Sequence, residues 1–198
     1  MLEFFQRHLL ALASWFSKKL SKIYLPYSRK MVTGEDYYKL LDFLEPGLVL
    51  VAKSNGELSN IFIPEFWGHA AIVSVDTKYV VEATTHGVVK TDIVSFMMNK
   101  DCVGAFVPLF TSKSKMKRAA EVAEEQIGKD YDFEFSTSSI EKFYCSELVW
   151  YAYDQVIDDI PFKPRVILGQ ESIAPSDFEL ATDKFKSVWY SKSNEVLR

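Results

Sequence analysis

Residues 143–150, FYCSELVW, contain the point at which a polar stretch gives way to an apolar helical pattern. This change predicts a buried helix with Cys145 at its N-terminus. The unpaired N–H groups of a helix start and the positive end of its dipole both stabilise a thiolate. The sequence therefore presents Cys145 as a candidate nucleophile, which needs a base from elsewhere in the chain.

That base has to be one of three histidines. His69 opens an apolar, strand-like run, GHAAIV at residues 68–73, and a second predicted strand at residues 78–84 contains Glu82. In a nucleophilic site, His69 would share a proton with Cys145, and Glu82 would accept from the other ring nitrogen. The three side chains form a candidate triad in which base and orienting residue precede the nucleophile.

The pairing register of these two strands determines whether Glu82 can take this part. If Asp76-Thr77 is a two-residue turn, Ala71 pairs with Glu82, and His69 and Glu82 are diagonal neighbours roughly 7–8 Å apart at the backbone. A three-residue loop would put them on opposite faces, because a shift of one residue inverts a strand. His86 is the alternative orienting group, or else an exposed turn residue.

Composition narrows the class of protein. With 198 residues, 48% of them hydrophobic, the chain can bury the core of one domain. The net charge of −4 gives no case for nucleic-acid binding. Two cysteines, Cys102 and Cys145, favour a reducing compartment over a disulfide framework, with Cys102 as a small buried residue. Since there is no CxxC and no close pair of histidines, neither a metal site nor a cofactor is predicted.

Residues 1–44 are expected to form an N-terminal helical extension to a catalytic domain at residues 45–198. Apolar residues at helical spacing predict an amphipathic helix with a basic C-terminal half; they are Phe5, Leu9, Leu12, Phe16, Leu20 and Ile23. The helix either packs on its own domain or contacts a membrane surface or a partner through residues 1–30. No signal peptide or membrane span is predicted, so the expected location is cytoplasmic or membrane-peripheral.

The other elements predict an α+β domain in which an antiparallel sheet packs against helices. Strands are predicted at residues 48–52, 69–75, 78–84, 102–110 and 185–190, and residues 88–96 continue the sheet or cross over it. Helices are predicted from Thr33 to about 44, from Ser112 or Ser114 to about 127, from 145 to about 157, and briefly from 175.

Three segments together resemble the YiiX-like branch of the NlpC-type cysteine hydrolases: GHAAIV at 68–73, VVEA at 80–83 and YCSELV at 144–149. Supporting matches are Pro46-Gly47, GKDYD at 128–132 and PSD at 175–177. The resemblance covers about residues 45–190. One departure is Leu48, where the family often has an acidic residue.

The resemblance implies a circularly permuted papain-like fold, with an antiparallel sheet or partial barrel packed against helices. It implies that Cys145 is the nucleophile, His69 the general base and Glu82 the third member of a triad. The implied reaction is hydrolysis of a peptide or isopeptide amide, such as a cell-wall-type peptide, through a covalent thioester. Two alternatives stay open: a lipid-directed acyltransferase, phospholipase or thioesterase at a membrane surface, and a non-catalytic binding module.

Aromatic residues beside the motifs are candidate substrate contacts; they are Trp67, Tyr131 and Tyr144. Trp67 is equally well explained by core packing, and Tyr131 by the turn that follows Gly128. The groove itself is expected from residues 53–67 and 158–175. The expected substrate is either a peptide or an acyl compound.

Overall fold

The computed structural model describes residues 31–54, 65–135, 137, 140–167 and 170–197. These residues form an α+β domain around a six-stranded antiparallel sheet. The predicted N-terminal helix and most of the predicted groove segment 53–67 lie outside the described residues. Within the described part, no helix is long and apolar enough to cross a membrane.

The strands, in chain order, are β1 (Val49–Lys53), β2 (His69–Val73), β3 (Tyr79–Thr84), β4 (Gly87–Asp92), β5 (Cys102–Pro108), β6 (Asp130–Tyr131), β7 (Lys142–Phe143), β8 (Arg165–Ile167), β9 (Gln170–Ser172) and β10 (Phe185–Tyr190). The large sheet has the order β10-β5-β1-β2-β3-β4. Strands β6 and β7 form a short parallel pair, and β8 and β9 form a short antiparallel pair.

The helices are α1 (Gly34–Leu40), extended by a 3-10 turn at Leu41–Phe43, then α2 (Ile93–Met98), α3 (Lys113–Glu124), α4 (Cys145–Asp154), α5 (Asp177–Leu180) and α6 (Asn194–Leu197). They cover both faces of the sheet. Side chains from α3 and α4 share one apolar cluster with Val49 and Val51, whereas side chains from α1 and α2 share the other with Leu48 and Leu50. Because β1 is covered on both sides, its first four residues, 49–52, are all apolar instead of alternating.

Most predicted elements are present. Thr33 caps α1 as expected, since its hydroxyl accepts from the N–H of Asp36 at 3.3 Å and its own N–H donates to the Asp36 carboxylate at 2.8 Å. The last strand has the predicted bounds. Residues 88–96 do both of the things considered, completing β4 and then turning into α2.

Two short elements were not predicted. The expected groove segment 158–175 contains the short β8–β9 pair. Each of these strands has three residues, too few for an alternating pattern to be recognised. The C-terminal helix α6 has only four residues and was not predicted for the same reason.

The Pro46-Gly47 turn precedes β1 and contacts both α3 and α4. Gly47 has a φ of +87°, and its N–H donates to the carbonyl of Val73 at 2.9 Å. The Tyr153 hydroxyl donates to the Gly47 carbonyl, and a β-carbon at position 47 would lie 2.3 Å from the backbone oxygen of Met116. Only glycine combines this φ with so close an approach of α3.

Substitution Gly47→Ala should therefore destabilise the fold by roughly 2 kcal/mol or more, since it adds left-handed strain to a backbone clash. The measurement is the free energy of unfolding in urea. Gly34→Ala is the matched control, because Gly34 begins a helix and a β-carbon added there would have no other atom within 4 Å. Equal stability of the two variants would contradict this account of the turn.

Candidate active site

Cys145 is the first residue of α4, as the sequence predicts. Tyr144 precedes it in an extended conformation, and the Glu147 carboxylate accepts the Tyr144 N–H at 3.3 Å. The N–H of a first helical residue has no intrahelical carbonyl to bind, so that of Cys145 is available to an oxyanion. Cys145 is buried, with 4% of its surface exposed to solvent.

Of the two registers considered for β2 and β3, the structure has the one that a two-residue turn at Asp76-Thr77 requires. Ile72 pairs with Val81 and Val73 with Val80, and the ladder ends two residue pairs before that turn. His69 and Glu82 consequently share a face. Their side chains meet with 2.6 Å between Nε2 and Oε2.

The ladder between β2 and β3 stops after these pairs, whereas β3 stays paired with β4 along its whole length. In the alternating pattern of an antiparallel ladder, the N–H of Ala70 would face Ala83. It lies instead close enough to Cys145 to help lower the pKa of that thiol. The start of α4, which contacts both strands, thus reaches the place where the two strands separate.

The surroundings of Cys145 favour its thiolate. Burial raises the pKa of the thiol, but a hydrogen bond with His69, the positive charge of that ring and the N–H groups of Ala70 and Ser146 outweigh it, so the pKa is lowered. Since Nε2 of His69 is bound to Glu82, Nδ1 is the ring nitrogen left for Cys145. The three side chains form one hydrogen-bonded series.

The pKa values of the other two members, His69 and Glu82, are shifted in opposite directions. Burial and the charge of Lys100 lower the pKa of His69, but hydrogen bonds to Cys145 and Glu82 prevail and raise it to about 9. Burial raises the pKa of Glu82, but its hydrogen bond with His69, followed by the charges of His69 and Lys100, brings it to about 2. The arrangement favours a thiolate–imidazolium pair beside a permanently ionised carboxylate.

Both neighbours of Cys145 bind the same downstream residue. The Tyr144 hydroxyl accepts the N–H of Ile173 at 2.9 Å, and the Ser146 hydroxyl donates to the carbonyl of Ile173 at 2.7 Å. We call these two contacts the Ile173 clamp. All three residues are buried, so the clamp holds the start of α4 against the segment that follows β9.

The three candidate substrate contacts lie in different environments. Trp67 is fully buried and its indole N–H donates to Glu179 at 2.9 Å, so it occupies the core position that was one of its two alternatives. Tyr144 is 3% exposed and is committed to the clamp. Tyr131 is half-buried, with its ring 4.8 Å from that of Phe133. Of the three, Tyr131 keeps the most surface on which a substrate could bind.

His86 lies in the exposed turn between β3 and β4, where its N–H donates to the Thr84 hydroxyl at 3.2 Å. Glu82 is the group bound to His69. Two further contributors, the Ala70 N–H and the Lys100 charge, were not predicted. A backbone N–H belongs to almost every residue, so no sequence pattern indicates which one will act as a donor. Lys100 comes near His69 only because of the path that the chain takes after α2.

This order of elements, a histidine strand followed by a helix that begins with cysteine, defines the class of circularly permuted papain-like cysteine hydrolases. Residues 43–197 match the family model described as "Permuted papain-like amidase enzyme, YaeF/YiiX, C92 family". The chain belongs to this family, and the predicted YiiX-like kinship and permuted papain-like fold are confirmed.

A similar solved structure is the "Crystal structure of metalloprotein yiiX from Escherichia coli O157:H7". It is 19% identical, with a TM-score of 0.61 over 73% of this chain and 96% of that chain, which supports the common fold. Among the described residues here, no group of three or more His, Cys, Asp or Glu side chains could hold a metal ion. No curated protein matches the chain.

Substitution Glu82→Gln tests the electrostatics of the series. Losing the carboxylate should lower the pKa of His69 from about 9, so the imidazolium is lost at a lower pH and stabilises the thiolate less. The acid limb of Cys145 alkylation by iodoacetamide should then move up by about one pH unit or more. Glu35→Gln, on the exposed face of α1, is the matched control. An unchanged profile would show that Glu82 does not support the ion pair.

Proposed function

We propose that this protein hydrolyses a peptide or isopeptide amide through a thioester on Cys145, with His69 as general base and Glu82 as its orienting group. The observation that carries the proposal is the hydrogen-bonded series from Cys145 through His69 to Glu82. The amidase character of the family supports the choice of an amide as the bond that is cleaved.

In the acylation step, the Cys145 thiolate attacks the carbonyl carbon of the substrate. A carbon–sulfur bond forms, and the carbonyl π electrons move to oxygen, where the Cys145 N–H can stabilise the negative charge. The protonated Nδ1 of His69 then gives its proton to the amide nitrogen. The carbon–nitrogen bond breaks, an amine departs, and the acyl group remains on sulfur as a thioester.

In the deacylation step, neutral His69 takes a proton from water as the oxygen attacks the thioester carbon. The carbon–sulfur bond breaks, which releases the acid product and restores the thiolate beside an imidazolium. Glu82 keeps the Nε2–H bond through both steps and thereby holds the ring in one orientation. The charge that forms on His69 is balanced by the Glu82 carboxylate throughout.

The lipid-directed alternative depends on the basic amphipathic segment at residues 1–30, which lies outside the described residues. No contact in the described part of the chain favours an ester of a lipid over an amide. Amide and lipid-ester substrates are therefore compared directly in the assay.

A panel of peptide amides, isopeptides, lipid esters and acyl thioesters tests the proposal. Wild-type protein should hydrolyse an amide, and Cys145→Ala should lower kcat by about a thousandfold or more, because no nucleophile remains. His69→Ala should lower kcat by a similar factor. In the wild-type protein, acid quenching should trap an acyl adduct on Cys145 that mass spectrometry detects.

Cys102→Ser is the control, because Cys102 is buried on the strand β5 and binds Ser191, outside the proposed series. It should retain activity. Hydrolysis that persists in Cys145→Ala would refute the nucleophile, and turnover of lipid esters with no amide cleavage would refute the substrate class.

A further inference from the structure

Lys100 adds a positive charge at the edge of the proposed series. It follows α2 and directly precedes the buried residue Asp101, and it is half-buried itself. Its Nζ lies 5.4 Å from the centre of the Phe96 ring, and that ring lies 6.1 Å from the imidazole of His69. Its field reaches both His69 and Glu82.

This lysine has no carboxylate within ion-pair distance among the residues that the structure describes. Lys142, by contrast, binds Asp132 at 2.9 Å and Glu134 at 3.0 Å. Lys53, at the same end of the sheet, donates to the carbonyl of Phe66. The chain has 27 acidic residues against 23 basic ones, so a lack of available carboxylates does not explain the difference.

The charge of Lys100 also opposes a step of the reaction. A neighbouring cation disfavours the protonated ring of His69, which is the form that must give its proton to the departing amine. An anion bound next to Lys100 would cancel this effect. The position of Lys100 is therefore best matched to a substrate that brings its own negative charge.

We propose that Lys100 binds a carboxylate on the leaving group, so that the preferred substrate is an amide whose departing amine is an amino acid with a free carboxylate. This inference rests on the proposed function of Cys145 and His69. His69 must reach the leaving nitrogen, so the atoms next to that nitrogen lie near His69, and Lys100 is linked to His69 through the ring of Phe96. In an amino acid, a carboxylate is attached to the carbon that bears this nitrogen.

The first test needs no substrate. Iodoacetate and iodoacetamide alkylate the same thiolate and differ by one negative charge, so their rate ratio at Cys145 reports the local field. Lys100→Met and Lys100→Gln should each lower the iodoacetate-to-iodoacetamide ratio by about fivefold or more, and Lys100→Arg should keep it. Lys78→Met removes the same charge at the opposite end of the β2–β3 pair and should leave the ratio unchanged.

The second test compares N-acyl dipeptides that have a free C-terminal carboxylate with the same compounds as C-terminal amides. Wild-type protein should prefer the free acid in kcat/KM by about tenfold or more, and Lys100→Met should remove the preference mainly through KM. Equal use of both compounds, or an alkylation ratio that Lys100→Met and Lys100→Gln leave unchanged, would overturn the role of Lys100. Neither result would affect the proposed function, which fails only if wild-type protein cleaves no amide or Cys145→Ala still does.

Discussion

The architecture of the site depends on the early end of the β2–β3 ladder, whose pairs are Val73–Val80 and Ile72–Val81. A continued ladder would use the N–H of Ala70 for a carbonyl of β3; here that N–H instead helps to lower the pKa of Cys145. Because the strands separate after Ile72 and Val81, the thiol can be buried and still have polar partners. The alternative, a buried thiolate without donors, would carry an unfavourable desolvation free energy.

Burial and charge act against each other throughout this arrangement. Withdrawal from water alone would favour neutral cysteine and neutral histidine, and it would raise the pKa of the Glu82 carboxyl. Each group is instead stabilised in its charged form by the next, so the three ionisations depend on one another. The series is therefore sensitive to any added charge, such as that of Lys100, which lowers the pKa of both His69 and Glu82.

Much of this could be predicted from the sequence because it is local. The run at residues 69–84 limits the register to two alternatives, and in one of them His69 and Glu82 share a face. The start of α1 is defined by Thr33 and Asp36, and the start of α4 by an abrupt change in hydrophobicity at Cys145. The position of Trp67 could not be decided in this way, because an aromatic residue beside a motif suits a groove and a core equally well.

What could not be predicted depends on contacts between distant parts of the chain. The Ile173 clamp, the Ala70 donor and the approach of Lys100 to His69 join residues with no common sequence pattern. The short β8–β9 pair is set by its surroundings more than by its own six residues. In these places the tertiary structure, not local preference, selects the conformation.

The Ile173 clamp has a consequence for the order in which the candidate site can form. Ser146 and Ile173 are 27 positions apart, and the strand β10, which completes the sheet beside β5, comes later still. Synthesis proceeds from the N-terminus, so Cys145, His69 and Glu82 are added to the chain before the residue that holds both neighbours of Cys145. A nascent chain therefore contains every member of the series before it has the clamp. The start of α4 therefore gains these two contacts only after Ile173 has been added to the chain.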